Sequence, residues 1–426
     1  MSTTASPLLQ TTVSKRFRDT RERTLLLCEP LTPEDMMVQS CPEASPAKWH
    51  LAHTTWFFES FVLREFLPGY RVFHSDFKWL FNSYYESFSE FPEKRLRSSF
   101  SRPGIGDILQ YRDHVDLAME RLFERDPEPE AMRRIELGAN HEEQHQELLM
   151  TDTLNAFFTN PLRPKYREPG VQESAIGDRR ISQPVSFRQF EGGLREAGHV
   201  GNSFCFDNEM PRHRVWLEPF RLANRLVTCG EFAEFIADGG YRKPEFWLSA
   251  GWDAVKANGW HAPLYWTNDE KGWTVFTLRG ELPLEELKAT PVSQLSYYEA
   301  DAYARWAGFR LPTEFEWEAA TEGQPVEGNL LDSGRLLPRP ATELLDNQYP
   351  TYYGDCWVWT SSAYLGYPGF RPLDGTLGEY NGKFMSGQMV LRGGSCVTPA
   401  AHIRSTYRNF FSPETRWQFS GIRLAS

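Results

Sequence analysis

The sequence predicts two domains of different class, a helical bundle followed by an irregular α+β domain. Its 426 residues exceed what a single ordinary hydrophobic core accommodates. Up to about residue 158, apolar side chains recur at three- and four-residue spacing, which indicates amphipathic helices. Farther along the chain, short apolar runs alternate with Gly, Pro and Asn turns, which is typical of loop-rich folds. We therefore predict domains at 1–158 and 185–426, joined by a linker at 159–184 that is rich in proline, glycine and charge.

Four helices account for the first domain. The first lies in SKRFRDTRERTLLLCEPL, and the second in AKWHLAHTTWFFESFVLREF, which Ser45-Pro46 opens as capping residue and first helical residue. The third covers GIGDILQYRDHVDLAMERLFE, and the fourth extends from Pro129 to about Phe158. Four helices are enough to enclose a buried centre, so we predict a four-helix bundle. In the second domain only TCGEFAEFIADGG and SYYEADAYARWAG, the latter followed by RLPTEFEWEAA, have convincing helical patterns.

Charge and cysteine content limit the class of protein. With 46 basic and 57 acidic side chains the net charge is −11, which argues against nucleic acid or an anionic membrane as the main partner. The six cysteines have no CxxC spacing and indicate mostly reduced, buried thiols. No apolar run approaches the roughly 18 residues of a membrane span, and no secretory pattern is evident. We expect a cytoplasmic protein, and the sequence makes no prediction of its oligomeric state.

The stretch ANHEEQHQELL, residues 139–149, carries the strongest chemical signal. His141 and His145 are four residues apart, so on a helix both imidazoles project from one face and suit a shared cation. The alternative interpretation is a solvated charged face, in which Glu142, Glu143 and Glu147 point to water. Two histidines by themselves leave both interpretations open.

A metal site needs a third ligand from elsewhere in the chain. KWHLAHTTWFFE places His50 and His53 one turn apart among aromatic residues, and a buried imidazole needs a polar partner such as a metal. The spacing does not choose between the two histidines. Alternatively, Glu142 or an aspartate completes an iron site of two histidines and one carboxylate.

Both halves of the chain resemble a known family. WHLAHTTWFFE followed by HEEQHQELL resembles the DinB-like iron-binding domain of the ergothioneine-biosynthesis sulfoxide synthases. PVSQLSYYEADAYARWAGFRLPTEFEWEAA, CWVWTSSAY, LRGGSC and FSGIRLA resemble the formylglycine-generating-enzyme domain, a C-type-lectin-like fold. The resemblance, which covers nearly the whole chain, implies an Fe²⁺ site formed by His53, His141 and His145, with His50 beside it.

The resemblance also implies the reaction and its small-molecule partners. The family joins the sulfur of a thiol to the imidazole C2 of hercynine (trimethylhistidine) and uses one O₂ to give a sulfoxide. Gln144 matches a family position that hydrogen-bonds the hercynine imidazole. Asn409 and Phe410 match the segment that faces the trimethylammonium group. Aromatic faces are the expected contact there, because that group cannot donate hydrogen bonds.

This chain departs from the family pattern at a position that bears on which thiol is the substrate. Members that use γ-glutamylcysteine carry an acidic residue where this chain has Phe411, and a phenyl ring cannot pair with the glutamyl ammonium. The sequence therefore favours free cysteine, with γ-glutamylcysteine as the alternative. The cysteine carboxylate needs a cationic partner. EKRLRSSFSRPGIGD offers Arg97 and Arg102, whose guanidinium groups form paired hydrogen bonds with carboxylates.

Tyrosines are the expected donors of a proton or an electron. In one branch of the family a tyrosine pair of the iron-binding domain has this role, and LFNSYYESF supplies Tyr84 and Tyr85 in such a place. A phenol with a pKa near 10 is protonated at neutral pH and is able to donate. Tyr364 and Tyr367 of SSAYLGYPGF are the alternative from the second domain.

Three rival functions are compatible with parts of the sequence. Formylglycine formation uses two copper-binding cysteines, but the matching positions hold Thr398 and Ile403, and Cys396 alone cannot replace both. A binding module without turnover is the alternative of a different class. Ovothiol synthesis, which attaches sulfur at C5 of histidine, is disfavoured because those enzymes usually carry a methyltransferase domain, for which we expect no room in 426 residues.

Overall fold

Among the residues that the structure describes, helices make up the first part of the chain, and short strands follow residue 184. The structure, a computed structural model, describes residues 7–83, 85–168, 184–340, 351–379 and 381–426. The chain divides into two compact units, Met1–Leu162 with Asp374–Tyr380, and Arg163–Leu373 with Asn381–Ser426. Most of the predicted linker lies outside the described residues, so the predicted domain boundaries stay a prediction.

The first unit contains the predicted helices. They are α1 (Pro7–Cys28), α2 (Ala47–Phe58), α4 (Ile105–Phe123) and α5 (Pro129–Thr159), and between α2 and α4 lies the short α3 (Phe77–Leu80), which was not predicted. The helical character of this part is confirmed, whereas its arrangement as a four-helix bundle stays a prediction. No helix of the described residues is long and apolar enough to cross a membrane.

Helix α2 begins at Ala47 and continues through a π-helical turn, Glu59–Leu63, before Pro68-Gly69. The predicted opening is wrong in detail, because Pro46 has extended backbone (φ −61°, ψ 145°) and takes the capping position itself. The Ser45 hydroxyl makes no capping bond and instead accepts a hydrogen bond from Arg97. Proline at this position still suits a helix start. Its φ is fixed, and it has no backbone N–H that the first turn would leave without a partner.

Helices α2 and α5 approach each other closely. Every residue of α2 is buried, and α2 packs against both α4 and α5. At Gly138 of α5, a Cβ atom would lie 2.6 Å from Phe58 Cε1 and 2.9 Å from Phe57 Cε1. Because glycine has no Cβ, the two helices come close enough for side chains of both to share one buried site.

A buried ion network joins α5 to α1 and α4. The carboxylate of Glu142 accepts hydrogen bonds from Arg21 Nη1 (2.9 Å), Thr24 Oγ1 (2.6 Å) and Arg112 Nη2 (2.5 Å). Burial alone would raise the pKa of Glu142, but Arg112 and Arg21 hold it down at about 2. Glu143 and Glu147 are also buried. The interpretation of this stretch as a solvated charged face is therefore wrong.

A segment from late in the sequence belongs to the first unit. The Glu379 carboxylate accepts hydrogen bonds from the backbone N–H groups of Glu86 (3.0 Å) and Ser87 (3.1 Å), and from the Ser87 hydroxyl. Thr376 Oγ1 lies 3.1 Å from the same hydroxyl. Residues 374–379 thus hold the loop that follows Tyr85.

The second unit mixes helices with short strands, as predicted. Its helices are α6 (Cys229–Ala237), α7 (Ser249–Asn258), α8 (Leu284–Leu287), α9 (Tyr297–Trp306) and α10 (Glu314–Thr321). Helices α6, α9 and α10 each begin with a threonine or serine whose hydroxyl accepts from the N–H of a glutamate three residues on. Helix α7 was not predicted, because few of its residues are apolar and buried. Gly259, which ends it with φ +63°, was the available signal.

Strands of the second unit form several small sheets. They are β1 (Phe187–Phe190), β2 (Gly193–Ala197), β3 (His213–Leu217), β4 (Phe220–Ala223), β5 (Trp266–Asp269), β6 (Gly272–Thr277), β7 (Gly280–Pro283), β8 (Gly328–Asn329), β9 (Tyr353–Gly354), β10 (Trp357–Ala363), β11 (Met389–Arg392), β12 (Asn409–Phe411) and β13 (Ser420–Gly421). The largest described sheet has the order β12-β11-β10-β13, in which only β10 and β13 are parallel. Strand β12 lies at its edge, with Phe410 paired to Val390.

Candidate metal centre

Three imidazoles converge between α2 and α5. The ring centroids of His53 and His141 are 5.0 Å apart, those of His53 and His145 4.8 Å, and those of His141 and His145 4.6 Å. One ring nitrogen from each lies within 4.8 Å of the other two. Two nitrogens bound to one cation at about 2.1 Å are separated by at most about 4.2 Å, so a small inward movement would let all three share an ion. The predicted ligands are brought together, and ligation itself stays a prediction.

Burial keeps these imidazoles neutral. It lowers the pKa of His141 to about 3 and the pKa values of His53 and His145 well below the ordinary value, with neighbouring imidazoles adding to the fall for the latter two. A neutral imidazole keeps one nitrogen lone pair, which is what a metal needs. His145 keeps 8% of its surface exposed, whereas His53 and His141 have none, so access to the group is from the His145 side.

The hydrogen bonding of His53 assigns its free lone pair. Nδ1 lies 2.6 Å from the carbonyl oxygen of Phe81, and since a carbonyl only accepts, Nδ1 carries the hydrogen. Nε2 is then the lone-pair atom. It is buried and has no hydrogen-bond partner among the described residues. Such an atom is costly unless a ligand satisfies it, and three neutral imidazoles suit Fe, Zn, Cu or Ni. The residues therefore fit a transition metal, and iron is among the ions they fit.

The alternative with a carboxylate ligand is wrong for Glu142. Both of its oxygens are occupied by Arg21, Arg112 and Thr24 on another side of α5. Within the described part of the chain, the three-histidine group is the one cluster of His, Cys, Asp or Glu side chains close enough to hold an ion, and it contains no carboxylate.

The aromatic surroundings of His53 form a stacked column. Its ring is nearly parallel to Trp49 (4.4 Å between centroids, 14°) and to Trp56 (5.4 Å, 13°). The guanidinium carbon of Arg97 lies 3.4 Å above the Trp49 ring, on the indole that faces His53. These two nearly parallel contacts fix the orientation of the His53 ring, and the contact with Trp49 connects it to a cation.

Arg97 is a buried cation. Only 5% of it is exposed, and it donates hydrogen bonds to Ser45 Oγ (2.8 Å) and Ser83 Oγ (3.0 Å). No carboxylate oxygen of the described residues lies within 4.0 Å of its guanidinium. Burial lowers the pKa of Arg97 to about 9, opposed by the charge of Asp152, so it is a cation at neutral pH. Arg102, predicted with it, is exposed and donates to the Ser101 carbonyl.

The remaining predicted residues of the first unit are Tyr85, Tyr84 and Gln144. Tyr85 is buried, with its ring 5.7 Å from Trp56, which in turn stacks on His53. Its backbone N–H donates to Asn82 Oδ1 at 3.2 Å. Tyr84 lies outside the described residues. Gln144, half-buried on α5, occupies the position before His145. Their roles stay predictions.

The predicted substrate residues of the second unit lie on β12. The amide oxygen of Asn409 accepts from the backbone N–H of Phe410 at 2.9 Å, and Phe410 stacks on Tyr364 (4.0 Å, 15°). Phe411 meets Trp417 edge to face at 6.3 Å. All three β12 residues are half-buried, so part of each is accessible at the surface of the second unit.

The two alternative tyrosines are engaged in buried hydrogen bonds. The Tyr364 hydroxyl accepts from Asn208 Nδ2 at 2.9 Å, and the Tyr367 hydroxyl donates to Glu314 Oε2 at 3.2 Å. Burial raises the pKa of both phenols. Sequence reasoning did not find these partners, nor Ser45, Ser83 or the Phe81 carbonyl, because no local pattern connects them to the site.

Comparison with known proteins matches two parts of the chain to two different families. Residues 16–149 match the DinB superfamily, and residues 188–351 match the sulfatase-modifying factor enzyme 1-like domain. The hercynine oxygenase of Mycolicibacterium smegmatis is 32% identical over 95% of this chain and 96% of its own length. That of Mycolicibacterium thermoresistibile is 30% identical over 97% of this chain and 94% of its own.

A fungal relative extends the comparison. Ergothioneine biosynthesis protein 1 of Schizosaccharomyces pombe is 28% identical over 52% of this chain and 27% of its own length. The predicted resemblance is confirmed by these matches over nearly the full chain. With a DinB-superfamily part that carries three converging histidines and a sulfatase-modifying-factor part after it, this chain belongs to the hercynine oxygenase family.

Proposed function

We propose that this chain is a non-haem Fe²⁺ sulfoxide synthase that joins the sulfur of cysteine to C2 of hercynine in ergothioneine biosynthesis. The observation that carries the proposal is the buried Nε2 of His53, a lone pair that has no hydrogen-bond partner among the described residues and lies beside two further neutral imidazoles. The relatives named hercynine oxygenase support the substrate and the use of O₂.

The reaction balances with one O₂. The C2–H bond of hercynine and the S–H bond of cysteine are broken, a C–S bond and an S=O bond form, and the second oxygen atom leaves as water with both hydrogens. When bound, Fe²⁺ would supply a site for the thiolate and activation of O₂. In this proposal His53, His141 and His145 hold the ion through neutral nitrogens, which leave its remaining positions to the substrates.

Arg97 is proposed to bind the cysteine carboxylate. It is a cation buried against Trp49, and among the described residues its hydrogen bonds go to two hydroxyl groups, so a ligand carboxylate would compensate its burial. Arg102, being exposed, is the weaker partner in this role. Phe411 has no carboxylate to form an ion pair with a glutamyl ammonium, which supports cysteine over γ-glutamylcysteine.

The remaining contacts follow from the family. Gln144 is proposed to hydrogen-bond the imidazole of hercynine, and Asn409 and Phe410 to face its trimethylammonium group, which aromatic rings attract without hydrogen bonds. Tyr84 or Tyr85 is proposed to hold the proton that is delivered during turnover. If neither Tyr84→Phe nor Tyr85→Phe changes the ratio of sulfoxide to sulfinate among the products, neither tyrosine has this role.

The decisive experiment gives the anaerobically iron-loaded enzyme hercynine, O₂ and either cysteine or γ-glutamylcysteine. Mass spectrometry of the products is expected to show hercynylcysteine sulfoxide and little product from γ-glutamylcysteine. The reverse preference would overturn the assignment of the thiol. Hercynine binding without consumption of O₂ would instead support a non-catalytic binding module.

A variant of Arg97 tests the carboxylate site. Arg97→Leu is expected to raise KM for cysteine by about 10- to 100-fold, because a charge-assisted pair worth about 1.5–3 kcal/mol is lost. KM for hercynine should change little. Equal effects on both substrates would show that Arg97 supports the fold of the site and does not bind the thiol substrate.

A further inference from the structure

His50 lies next to the candidate metal centre and contacts one of its three histidines, His145. Its Nδ1 lies 2.8 Å from Nδ1 of His145, and its Nε2 lies 3.1 Å from Oδ2 of Asp152. The same Asp152 oxygen accepts the backbone N–H of Ser45 at 2.8 Å. His50, Asp152 and His145 are all buried, so these hydrogen bonds are made without competition from bulk water.

The donor or acceptor role of each ring nitrogen in these contacts follows from the number of hydrogens that each group carries. An ionised carboxylate only accepts, so Nε2 of His50 carries the hydrogen that faces Asp152. A neutral imidazole has one N–H, and Nδ1 of His50 is therefore an acceptor. The hydrogen between the two rings then belongs to Nδ1 of His145. What is left on His145 is a lone pair at Nε2.

We propose that Asp152 and His50 form a relay that fixes the tautomer and the orientation of His145, so that its Nε2 lone pair is presented to the metal. The Phe81 carbonyl does the same for His53, whose Nδ1–H it accepts. The relay rests on the proposed function only in taking the three histidines as metal ligands. His50 and Asp152 are positioning residues, since they act through His145.

The relay has a measurable consequence for metal affinity. Hydrogen-bond partners behind a ligating histidine raise its basicity and fix its ring, and their loss typically weakens metal binding by about 10- to 100-fold. His50→Leu removes the acceptor, whereas the amide oxygen of His50→Asn lies near the position of Nδ1 and restores part of it. Asp152→Leu breaks the relay one step farther from the metal, and Asp152→Asn keeps an acceptor without the charge.

The first test titrates the metal-free full-length protein with Co²⁺ and follows the absorption spectrum. His50→Leu and Asp152→Leu are expected to raise Kd by about 10- to 100-fold, with His50→Asn and Asp152→Asn in between. Tyr111→Phe is the control, because it removes an equally buried hydrogen bond to Glu59 in the same unit and should leave Kd within about threefold. Unchanged Kd values in both leucine variants would overturn the relay.

The second test reads the tautomer directly, by ¹⁵N NMR of the metal-free protein labelled at histidine. His145 is expected to carry its hydrogen at Nδ1 in the wild type and to populate both tautomers in His50→Leu. Hydrogen at Nε2 of His145 in the wild type would overturn the relay. If the protein binds Co²⁺ tightly, depends on His50 for that binding and yet makes no sulfoxide, the proposed function is wrong and the relay is supported.

Discussion

Helix α5 has two buried polar surfaces, which meet the cost of burial in opposite ways. On one, the Glu142 carboxylate is fully occupied by Arg21, Arg112 and Thr24. On the other, His141 and His145 meet His53, and the Nε2 atom of His53 has no partner among the described residues. Both surfaces come from one short sequence, HEEQH, and the side chains that form them are buried.

The comparison teaches that burial and charge do not by themselves mark a functional site. The Glu142 carboxylate accepts hydrogen bonds at both oxygens, so this network serves stability and holds three helices together, although Nε and Nη1 of Arg112 have no hydrogen-bond partner among the described residues. In contrast, the Nε2 lone pair of His53 has no donor, and the Arg97 guanidinium has no carboxylate, among the described residues. A buried lone pair without a partner among the described residues indicates a ligand where other potential ligands converge on it, as His141 and His145 do beside His53.

The largest expected effects separate the two surfaces. Glu142→Leu should lower the free energy of unfolding by about 3–5 kcal/mol, because Arg21 and Arg112 lose their shared carboxylate. His141→Leu should change it by less than about 1 kcal/mol in the metal-free protein, because an apolar group of similar size replaces a buried polar one. Co²⁺ affinity should fall at least 100-fold in His141→Leu. Urea unfolding measures both variants. If Glu142→Leu and His141→Leu destabilise the protein equally, the two surfaces do not differ in their contribution to stability.

The next effect concerns the approach of α2 to α5. Gly138→Ala places a methyl group within 2.6 Å of Phe58 and should cost about 1–3 kcal/mol of stability, together with weaker Co²⁺ binding. Gly106→Ala in α4 is the matched control, since nothing lies within 4 Å of its Cβ position. It should stabilise by up to about 1 kcal/mol. Thermal unfolding and Co²⁺ titration of both variants measure this, and unaltered Co²⁺ affinity in Gly138→Ala would contradict it.

Acid should destabilise the two surfaces at different pH. The pKa of His141 is about 3 in the folded chain against about 6.5 unfolded, so the unfolded chain binds the proton first and stability falls as pH drops from 6.5 towards 3. Glu142, with a folded pKa of about 2, adds a second fall below about pH 4.5.

The contribution of His141 to this loss of stability in acid can be measured separately from that of Glu142. Urea midpoints of the metal-free protein between pH 7.5 and pH 5 should fall less in His141→Leu than in the wild type. The acid fall below pH 4.5 should persist in that variant, because Glu142 is intact. Identical pH profiles above pH 5 would show that His141 is not the titrating group.

The smallest expected effect is at the exposed contact of Glu379. Glu379→Ala should speed hydrogen exchange of the Glu86 and Ser87 amides by about tenfold and change the unfolding free energy by less than about 1 kcal/mol, because the pairing is solvent-exposed. Asp374→Ala, in the same segment, is the control. Exchange that is unaltered in Glu379→Ala would show that other contacts hold this loop.

Local sequence patterns predicted the helices of the first unit well. The stripe of α4 and the Pro129 start of α5 follow from helical periodicity and proline geometry, which depend on a few neighbouring residues. Helix α7 escaped because its pattern is weak, and the opening of α2 was displaced by one residue. The order of motifs was enough to identify the family.

Within the site, sequence and tertiary structure each decided a different part. Four-residue spacing by itself put His141 and His145 on one face of a helix, since the helical repeat is a property of the backbone. The contact of His53 with them, the hydrogen-bond partners of His50 and Glu142, and the burial of Arg97 were decided only by the fold. Each depends on groups brought together from distant parts of the chain, where the free energy of packing and hydrogen bonding selects the partner and no local repeat encodes it.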